Sequence, residues 1–541
     1  MILALLLALS VTLTACGGGA NTDTKTDTSA QTDETGKTDT NQTDTGKIDT
    51  TTPVAVIDES SYEFSNRDLD PSYDEVTATV TLSDSGITVD GSDVTADGAN
   101  VTVTAAGTYL ISGTLTSGSI TVAAGEEDKV QLVLSGVDLT NPDGPALYVK
   151  SADKVFLTLA EGTDNTLSDG IDAAATDGDK NLDGAVYSCS DLTVNGTGSL
   201  TVLGNSKHGV VSKDDLVITG GTVTVTAQNV ALSGKDCVKI ADAVLNLTAG
   251  TDGIRSDNDE DADRGYVYIK SVTVTVNAGT DGIQAQTVLY VAGGMLDIIS
   301  GGGSANASAD STAKGLKAGT NLTVTNGTIT VDSSDDSLHS NGTMTIAGGT
   351  LTLSSGDDGA HADETLTVTG GTLVITAAEG LEATVVTIND GDISITASDD
   401  GINAARKSSA YTPLVEINGG NITIVMGPGD TDGIDSNGDI VINGGTVSVT
   451  GNSSFDCDGS GVINGGTVMV NGQQVSTLPN QMMGGPGGQP GGMGPGGGMG
   501  GPSGGMGGPG GGMGPGGGMG GPGGGMGPGG GMGGPGGFGH P

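Results

Sequence analysis

The 541-residue chain has no tryptophan, four phenylalanines and nine tyrosines, so aromatics make up only 2% of it. Few large side chains means a poorly supplied globular core. It also means no aromatic platform of the kind that grips flat crystalline polysaccharide. Basic residues are scarce, with 19 Lys+Arg against 65 Asp+Glu and a formal charge of -46. Nothing here neutralises phosphates, which excludes nucleic acid and favours cations as partners. The four cysteines, Cys16, Cys189, Cys237 and Cys457, show no C-x-x-C spacing. No disulfide framework is indicated, and the last three are expected as small buried fillers. The sequence has no nucleophile elbow, no P-loop and no His/Cys cluster with zinc spacing. No catalytic residue is nominated, and a non-enzymatic role is expected.

Long apolar runs are lacking too. The start, MILALLLALSVTLTAC, is too short to span a membrane and reads as a signal-peptide core over residues 1–15. Its Leu13-Thr14-Ala15-Cys16 ending resembles a bacterial lipobox, although no basic stretch precedes it. That ending implies lipid attachment at Cys16, membrane anchoring and a place on the outer face of a bacterial cell. Residues 16–58 form a Thr/Asp-rich tether, and 481–541 a Gly/Met/Pro-rich tail. Neither composition can bury enough apolar surface to fold.

What remains, residues 59–480, is repetitive. Asp-Gly turns such as TDGIRSD, SGDDGAHADE, SDDGINAA and TDGIDSNGD align into a column. Its members are His208, Val230, Asp252, Asp281, Lys314, Asp336, Asp358, Glu379, Asp400 and Asp432. The period is about 22 residues, lengthened in places by insertions. About a dozen residues later comes a Gly-Gly-Thr corner, as at Gly348-Gly349-Thr350, flanked by alternating runs such as MTIAGGTLTLSS. Alternation of period two is the strand signal, and three short strands with turns fill such a unit. The expected fold is therefore all-β, a parallel β-helix solenoid.

Equivalent positions in such a fold lie about 4.8 Å apart. The aliphatic residue after Gly (Ile254, Ile283, Leu316, Leu338, Leu381, Ile402, Ile434) is expected to stack inward. The Asp column stacks carboxylate on carboxylate, each pair repelling by about 1 kcal/mol even in bulk water. Cations between rungs, or retained protons, are expected to offset that. The next outward column, Arg255, Gln284, Lys317, His339, His361, Glu382, Asn403 and Asp435, is polar and mixed in charge.

Calcium is the expected cofactor, in several ions. Candidate ligands in the turns are Asp252, Asp281, Asp336, the doublets Asp357-Asp358 and Asp399-Asp400, and Asp432, Asp435, Asn437 and Asp439. One insertion carries Asp177, Asp179, Asn181 and Asp183 in a D-x-D-x-N-x-D-G pattern that is close to half of an EF-hand loop. Another carries Asp257, Asp259, Asp261 and Asp263. An acidic sugar polymer could be bridged by calcium to these oxygens. Its expected direct contacts are Lys207, His208, Arg255, Lys314, Lys317, His339, His361 and Asn403. A lyase acting on uronate polymers, or an adhesin that calcium merely rigidifies, are the alternatives.

The combination AGTYLISGTLTSGSITV (106–122), KHGVVSKDDLVITGGTVTVTA (207–227), DGIRSDNDEDADRGYVYI (252–269) and GDTDGIDSNGDIVINGGTVSV (429–449) resembles a bacterial family. These are lipoproteins with a carbohydrate-binding, calcium-binding β-helix. The resemblance covers most of residues 59–470. It implies a right-handed parallel β-helix shaped like pectate lyases, bound calcium ions, and binding of cellulose or polygalacturonate without established catalysis. A monomer is expected. Two repeats depart from the pattern, with Asn229-Val230-Ala231 and Asp336-Ser337 in place of Asp-Gly. The Gly-Gly corner is absent at Ala241-Asp242-Ala243.

Overall fold

The computed structural model describes residues 59–428 and 431–479. Signal peptide, Cys16, tether and tail lie outside them. Among the described residues helical structure is confined to Glu59–Tyr62, Asn66–Leu69 and Ser304–Asn306; the rest is strand and connection. One long, mostly parallel sheet system dominates. From Gly184–Ser188 to Leu338–Ser340 each strand pairs in parallel with the third strand after it. This pairing is compatible with a solenoid.

The strands fall into three faces. The broad face holds six-residue strands such as Thr222–Ala227, Val244–Ala249 and Thr273–Ala278. Thr222 lies opposite Val244, and Val244 opposite Thr273. Threonines face out and valines in, as period-two alternation demands. The ladder face holds short strands that follow the Asp turns, such as Ile254–Ser256, Ile283–Ala285 and Leu316–Ala318. The third face holds Tyr266–Lys270, Val288–Val291 and their equivalents. The predicted inward column is the core, with Ile254, Ile283, Leu316, Leu338, Leu381, Ile402 and Ile434 all fully buried.

The turn glycine is required by space, where a sharp backbone turn is the usual expectation. A Cβ added at Gly359 would strike Ile375 Cγ2 and approach the Gly380 carbonyl to 2.6 Å. Gly209, Gly253, Gly282, Gly315, Gly380, Gly401 and Gly433 meet Val225, Val276, Ile298, Val331, Ile395, Ile424 and Val449 in the same way. Every one of those partners is β-branched. The two repeats that carry Ala231 and Ser337 instead of Gly have Leu247 and Leu353 at the equivalent broad-face position. Leucine branches one carbon further out and leaves the room that a Cβ needs. The two departures from Asp-Gly are thus compensated by a partner change.

The missing Gly-Gly corner is also compensated. Gly349 takes the left-handed conformation there (φ 93°). In the variant corners that role moves one position earlier, to Asp242 (φ 51°) and Ser271 (φ 53°), and Ala243 and Val272 are buried behind them. Of the cysteines, Cys237 and Cys457 are buried as expected, but Cys189 is only partly covered and meets Lys180 Nζ at 3.5 Å.

Residues from Glu59 to Asp70 form a strap across the third face. Asp68 is buried; its Oδ1 lies 2.8 Å from Lys154 Nζ and accepts from Thr193 Oγ1 at 2.7 Å. Tyr62 packs on Tyr266, Tyr268 and Tyr290, with ring centroids 4.9, 5.6 and 5.9 Å away. Three of the nine tyrosines are therefore gathered under this strap, against Tyr62.

Two substitutions test these contacts. Gly359→Ala is expected to destabilise by about 1–3 kcal/mol through overpacking. Adding Ile375→Leu should recover part of that loss in denaturant unfolding. Asp68→Ala strands Lys154, and a loss of about 3–5 kcal/mol is expected in the same assay.

Candidate functional site

Stacking repeats in register turns the sequence columns into ladders. Arg255 sits opposite Gln284, which sits opposite Lys317, then His339, His361, Glu382, Asn403 and Asp435. The Asp column runs beside it. Its carboxylates first serve the backbone. Asp252 Oδ1 accepts from the Asp281 N–H at 3.3 Å, and Asp281 Oδ1 from the Lys314 N–H at 2.9 Å. Asp336 Oδ1 accepts from the Asp358 N–H and Asp400 Oδ1 from the Asp432 N–H, both at 3.1 Å. One oxygen of each of these four aspartates thus ties its repeat to the next.

The other oxygen meets the outward column. Arg255 Nη1 lies 3.3 Å from Asp252 Oδ2, and Lys317 Nζ 2.8 Å from Asp281 Oδ2. His339 Nδ1 lies 2.8 Å from Asp336 Oδ2, and His361 Nδ1 2.7 Å from Asp358 Oδ2. Basic groups in one ladder therefore offset acids in its neighbour.

At the centre these ladders wall a cavity of about 250 Å³. Lys314, itself in the Asp column, reaches Asp335 Oδ2 at 2.7 Å and Asp336 Oδ2 at 2.8 Å. The His339 and His361 rings stack at 4.9 Å with 14° between their planes. His361 Nδ1 also lies 2.8 Å from Glu382 Oε2, which Lys407 Nζ holds at 2.9 Å. Burial works against charge on Asp336, but the His339 hydrogen bond and Lys314 overcome it and hold its carboxyl well below the usual range. Asp358 goes the other way. Burial, then the charges of Asp336 and Glu382, push it to about 8 despite its bond to His361. Burial disfavours charge on His361, yet its bonds to Asp358 and Glu382 raise it to about 11.

Beyond Glu382 the outward column has no basic residue. There burial and neighbouring acids raise Glu379 to about 7, Asp400 to about 7 and Asp435 to about 6. Asn403 donates through Nδ2 to Glu379 Oε2 at 2.9 Å, while its buried Oδ1 has no partner. Asn403 Oδ1 is therefore a buried acceptor without a donor, beside carboxyl groups whose proton affinity burial and mutual repulsion raise.

The other predicted ligands are dispersed. Thr176–Asp177 and Lys180–Asn181 pair as a small hairpin. Asp177 is held by the Tyr148 hydroxyl at 2.8 Å and by Lys150, and Asp183 by Lys207 at 3.1 Å. The structure does not bring Asp177, Asp179 and Asp183 into one donor set. His208 Nδ1 accepts from the Val230 N–H at 3.3 Å. Asp257 pairs with Arg255 at 3.3 Å, and Asp259 is exposed. Asp261 and Asp263 turn to the third face, where they line a second cavity of about 440 Å³ with Asp153, Asp191, Asp214, Asp215 and Asp236. Asn437 accepts from the Arg406 N–H at 3.4 Å, and Asp439 from the Ser460 N–H at 2.6 Å. Asp357 and Lys314 line the central cavity, and the exposed Asp399 precedes the half-buried Asp400.

Sequence reasoning did not nominate Asp335, Asp363, Glu379, Glu382 or Lys407 as site residues. The Asp335-Asp336 doublet was the available signal for Asp335, and Glu379 and Glu382 stand in the two aligned columns. Lys407 sits in an insertion and shares no column. The acids at Asp191 and Asp214-Asp215 each precede a third-face strand, a recurrence that was visible in SDLTV and KDDLVI.

A family model described as "Carbohydrate-binding domain-containing protein" matches residues 97–359 and 357–477, more than half of the chain. The chain belongs to this family. A family relative of that description from Acetivibrio thermocellus is 43% identical over 125 residues, 23% of this chain and 44% of the relative. The match thus spans less than half of that relative's length. Among solved structures, a polysaccharide lyase-like protein from C. thermocellum, in a gadolinium derivative, aligns with a TM-score of 0.40 at 29% identity. It covers 50% of this chain and 97% of that one. All the ladder residues of this carbohydrate-binding family member lie within the matched ranges, whereas the strap precedes residue 97.

Raised carboxyl groups have a definite thermodynamic sign. Their folded pKa exceeds the unfolded value, so the native state binds more protons and stability falls as pH rises. For Asp358, Glu379, Asp400 and Asp435 that window runs from about 4 to about 8. In chelator the melting temperature is expected to rise as pH is lowered from 8 to about 5. A flat or opposite profile over that range would contradict the assignment.

Proposed function

We propose that this chain binds extracellular polysaccharide, acidic and polygalacturonate-like with cellulose as a second candidate, without cleaving it, along the ladder face. Family membership supports carbohydrate binding. The observation that carries the choice of surface is the outward column, in which part-exposed cations recur at alternate repeats. Arg255 and Lys317 are separated by one intervening rung, Gln284. Two rungs span about 10 Å, the scale of two sugar units in an extended polymer. Lys207, held at Asp183, adds a further exposed cation toward the N-terminal end of the stack.

The fold behind this reading is a right-handed parallel β-helix with coils of about 22 residues. Calcium is the proposed cofactor, several ions in all. Glu379, Asp400, Asp432, Asp435 and the orphaned Asn403 Oδ1 would hold one such ion, which would supply positive charge for uronate groups. Lipidation at Cys16 would anchor the chain to the membrane, and the segment up to residue 58 would hold the β-helix away from it on the cell's outer face. The non-catalytic reading rests on the state of the cations. Neighbouring acids raise Lys314 and Lys407 above the usual lysine range, against the effect of burial, so neither is a neutral amine able to abstract a proton.

The test is co-sedimentation with insoluble polygalacturonate, in calcium and in chelator. Pelleting in calcium alone is expected. Equal pelleting in chelator would remove the bridging ion from the scheme, and none in either buffer would remove the polymer. Arg255→Ala with Lys317→Ala should weaken pelleting by about tenfold or more, as loss of two charge-assisted contacts implies. Accumulation of unsaturated uronate ends on long incubation would establish the lyase instead.

A further inference from the structure

We propose that His361 Nδ1, Asp358 Oδ2 and Glu382 Oε2 form a site for a first-row divalent transition metal ion such as Zn²⁺, with the His339–Asp336 pair alongside as further donors. This does not rest on the polysaccharide reading, and it concerns a different ion from calcium.

The donors already converge. His361 Nδ1 is 2.7 Å from Asp358 Oδ2 and 2.8 Å from Glu382 Oε2. These three residues are buried, and their ligand atoms lie within 4.8 Å of one another, as do those of Asp336, His339 and His361. Metal–ligand bonds of about 2.0–2.2 Å in a tetrahedral site place neighbouring ligands roughly 3.3–3.6 Å apart, so an ion enters once these atoms separate by about 0.5–0.9 Å. It replaces the hydrogen that Nδ1 now shares between two carboxylates.

Outer contacts orient the rings as ligands. His361 Nε2 lies 3.2 Å from Asp363 Oδ1, and His339 Nε2 2.8 Å from Asn341 Oδ1. An imidazole held at its far nitrogen by a carboxylate or amide oxygen is the usual support of a metal-bound histidine. The rings stand on adjacent strands in fixed register, His339 opposite His361 and His361 opposite Glu382. Their placement therefore does not depend on a loop.

Charge points the same way. Six carboxylates line the cavity against two lysines and two histidines. Lys407, the partner of Glu382, comes from an insertion and is about one-third exposed, so it can swing aside. Imidazole nitrogen suits zinc, cobalt, nickel or copper, whereas calcium takes oxygen. The two kinds of ion are thus sorted to neighbouring parts of one ladder, which meet at the repeat that carries Glu379 and Glu382.

The chelator-stripped protein should be titrated with Co²⁺ in excess calcium, with visible absorption as the readout. One high-affinity equivalent with an intensified d–d band, displaced by Zn²⁺, is expected. His361→Ala should abolish the band. Asp363→Asn leaves all inner donors in place and should weaken binding by about 10–100-fold, which keeps the test valid if the first variant fails to fold. No uptake by the wild type, or uptake unchanged in both variants, overturns the site whatever the outcome with polysaccharide.

Discussion

Parallel register is the constraint on which everything else depends. Each strand is hydrogen-bonded to its equivalent in the next repeat, so each residue sits about 4.8 Å from its own counterpart. Like stacks on like. For valine and isoleucine this is favourable and builds the core. For aspartate it is unfavourable, and the molecule answers it residue by residue. One carboxylate oxygen takes a backbone N–H of the next repeat, as at Asp252 and Asp336. The other takes a basic group from the neighbouring column, as Asp358 takes His361.

The two halves of the ladder solve the problem differently. Up to Glu382 the answer is internal, through Arg255, Lys317, His339, His361, Lys314 and Lys407. Past it, Glu379, Asp400 and Asp435 have no such partner and burial drives them toward the protonated form. A buried amide oxygen, at Asn403, goes unsatisfied in that stretch. Acids with a basic partner lock the stack together, whereas those with only amide or backbone donors keep a raised affinity for protons. The mixed composition of the outward column therefore matters more than total charge.

Much of this was legible in the sequence. The period, the inward aliphatic column and both polar ladders follow from aligning Asp-Gly turns, because register converts spacing directly into proximity. The reason for the glycine was not legible. It depends on which side chain faces Gly359 across the coil, and Ile375 is distant from it in pattern though near in space. Insertions were equally opaque. The Asp177–Asp183 segment has the alternation of a cation-binding loop but closes as a hairpin, its acids drawn off by Tyr148, Lys150 and Lys207. Lys407 lies outside any column, so only coordinates could place it beside Glu382. The strap from Glu59 to Asp70 gave no periodic signal, yet its Tyr62 and Phe64 gather Tyr266, Tyr268 and Tyr290 against one face.

The pairing of glycine with a β-branched partner has a genetic consequence. Gly359 and Ile375 belong to the same unit of chain, as do Gly253 and Val276, and Gly282 and Ile298. Duplication or loss of a whole unit carries both members of the pair together and leaves the packing intact. The carboxylate-to-backbone bonds instead join one unit to the next, so a rearranged array would keep its core while acquiring a new order of charges along its edge. An ancestral gene could lengthen or shorten this protein by unequal crossing-over and alter what its surface attracts without relearning how to fold.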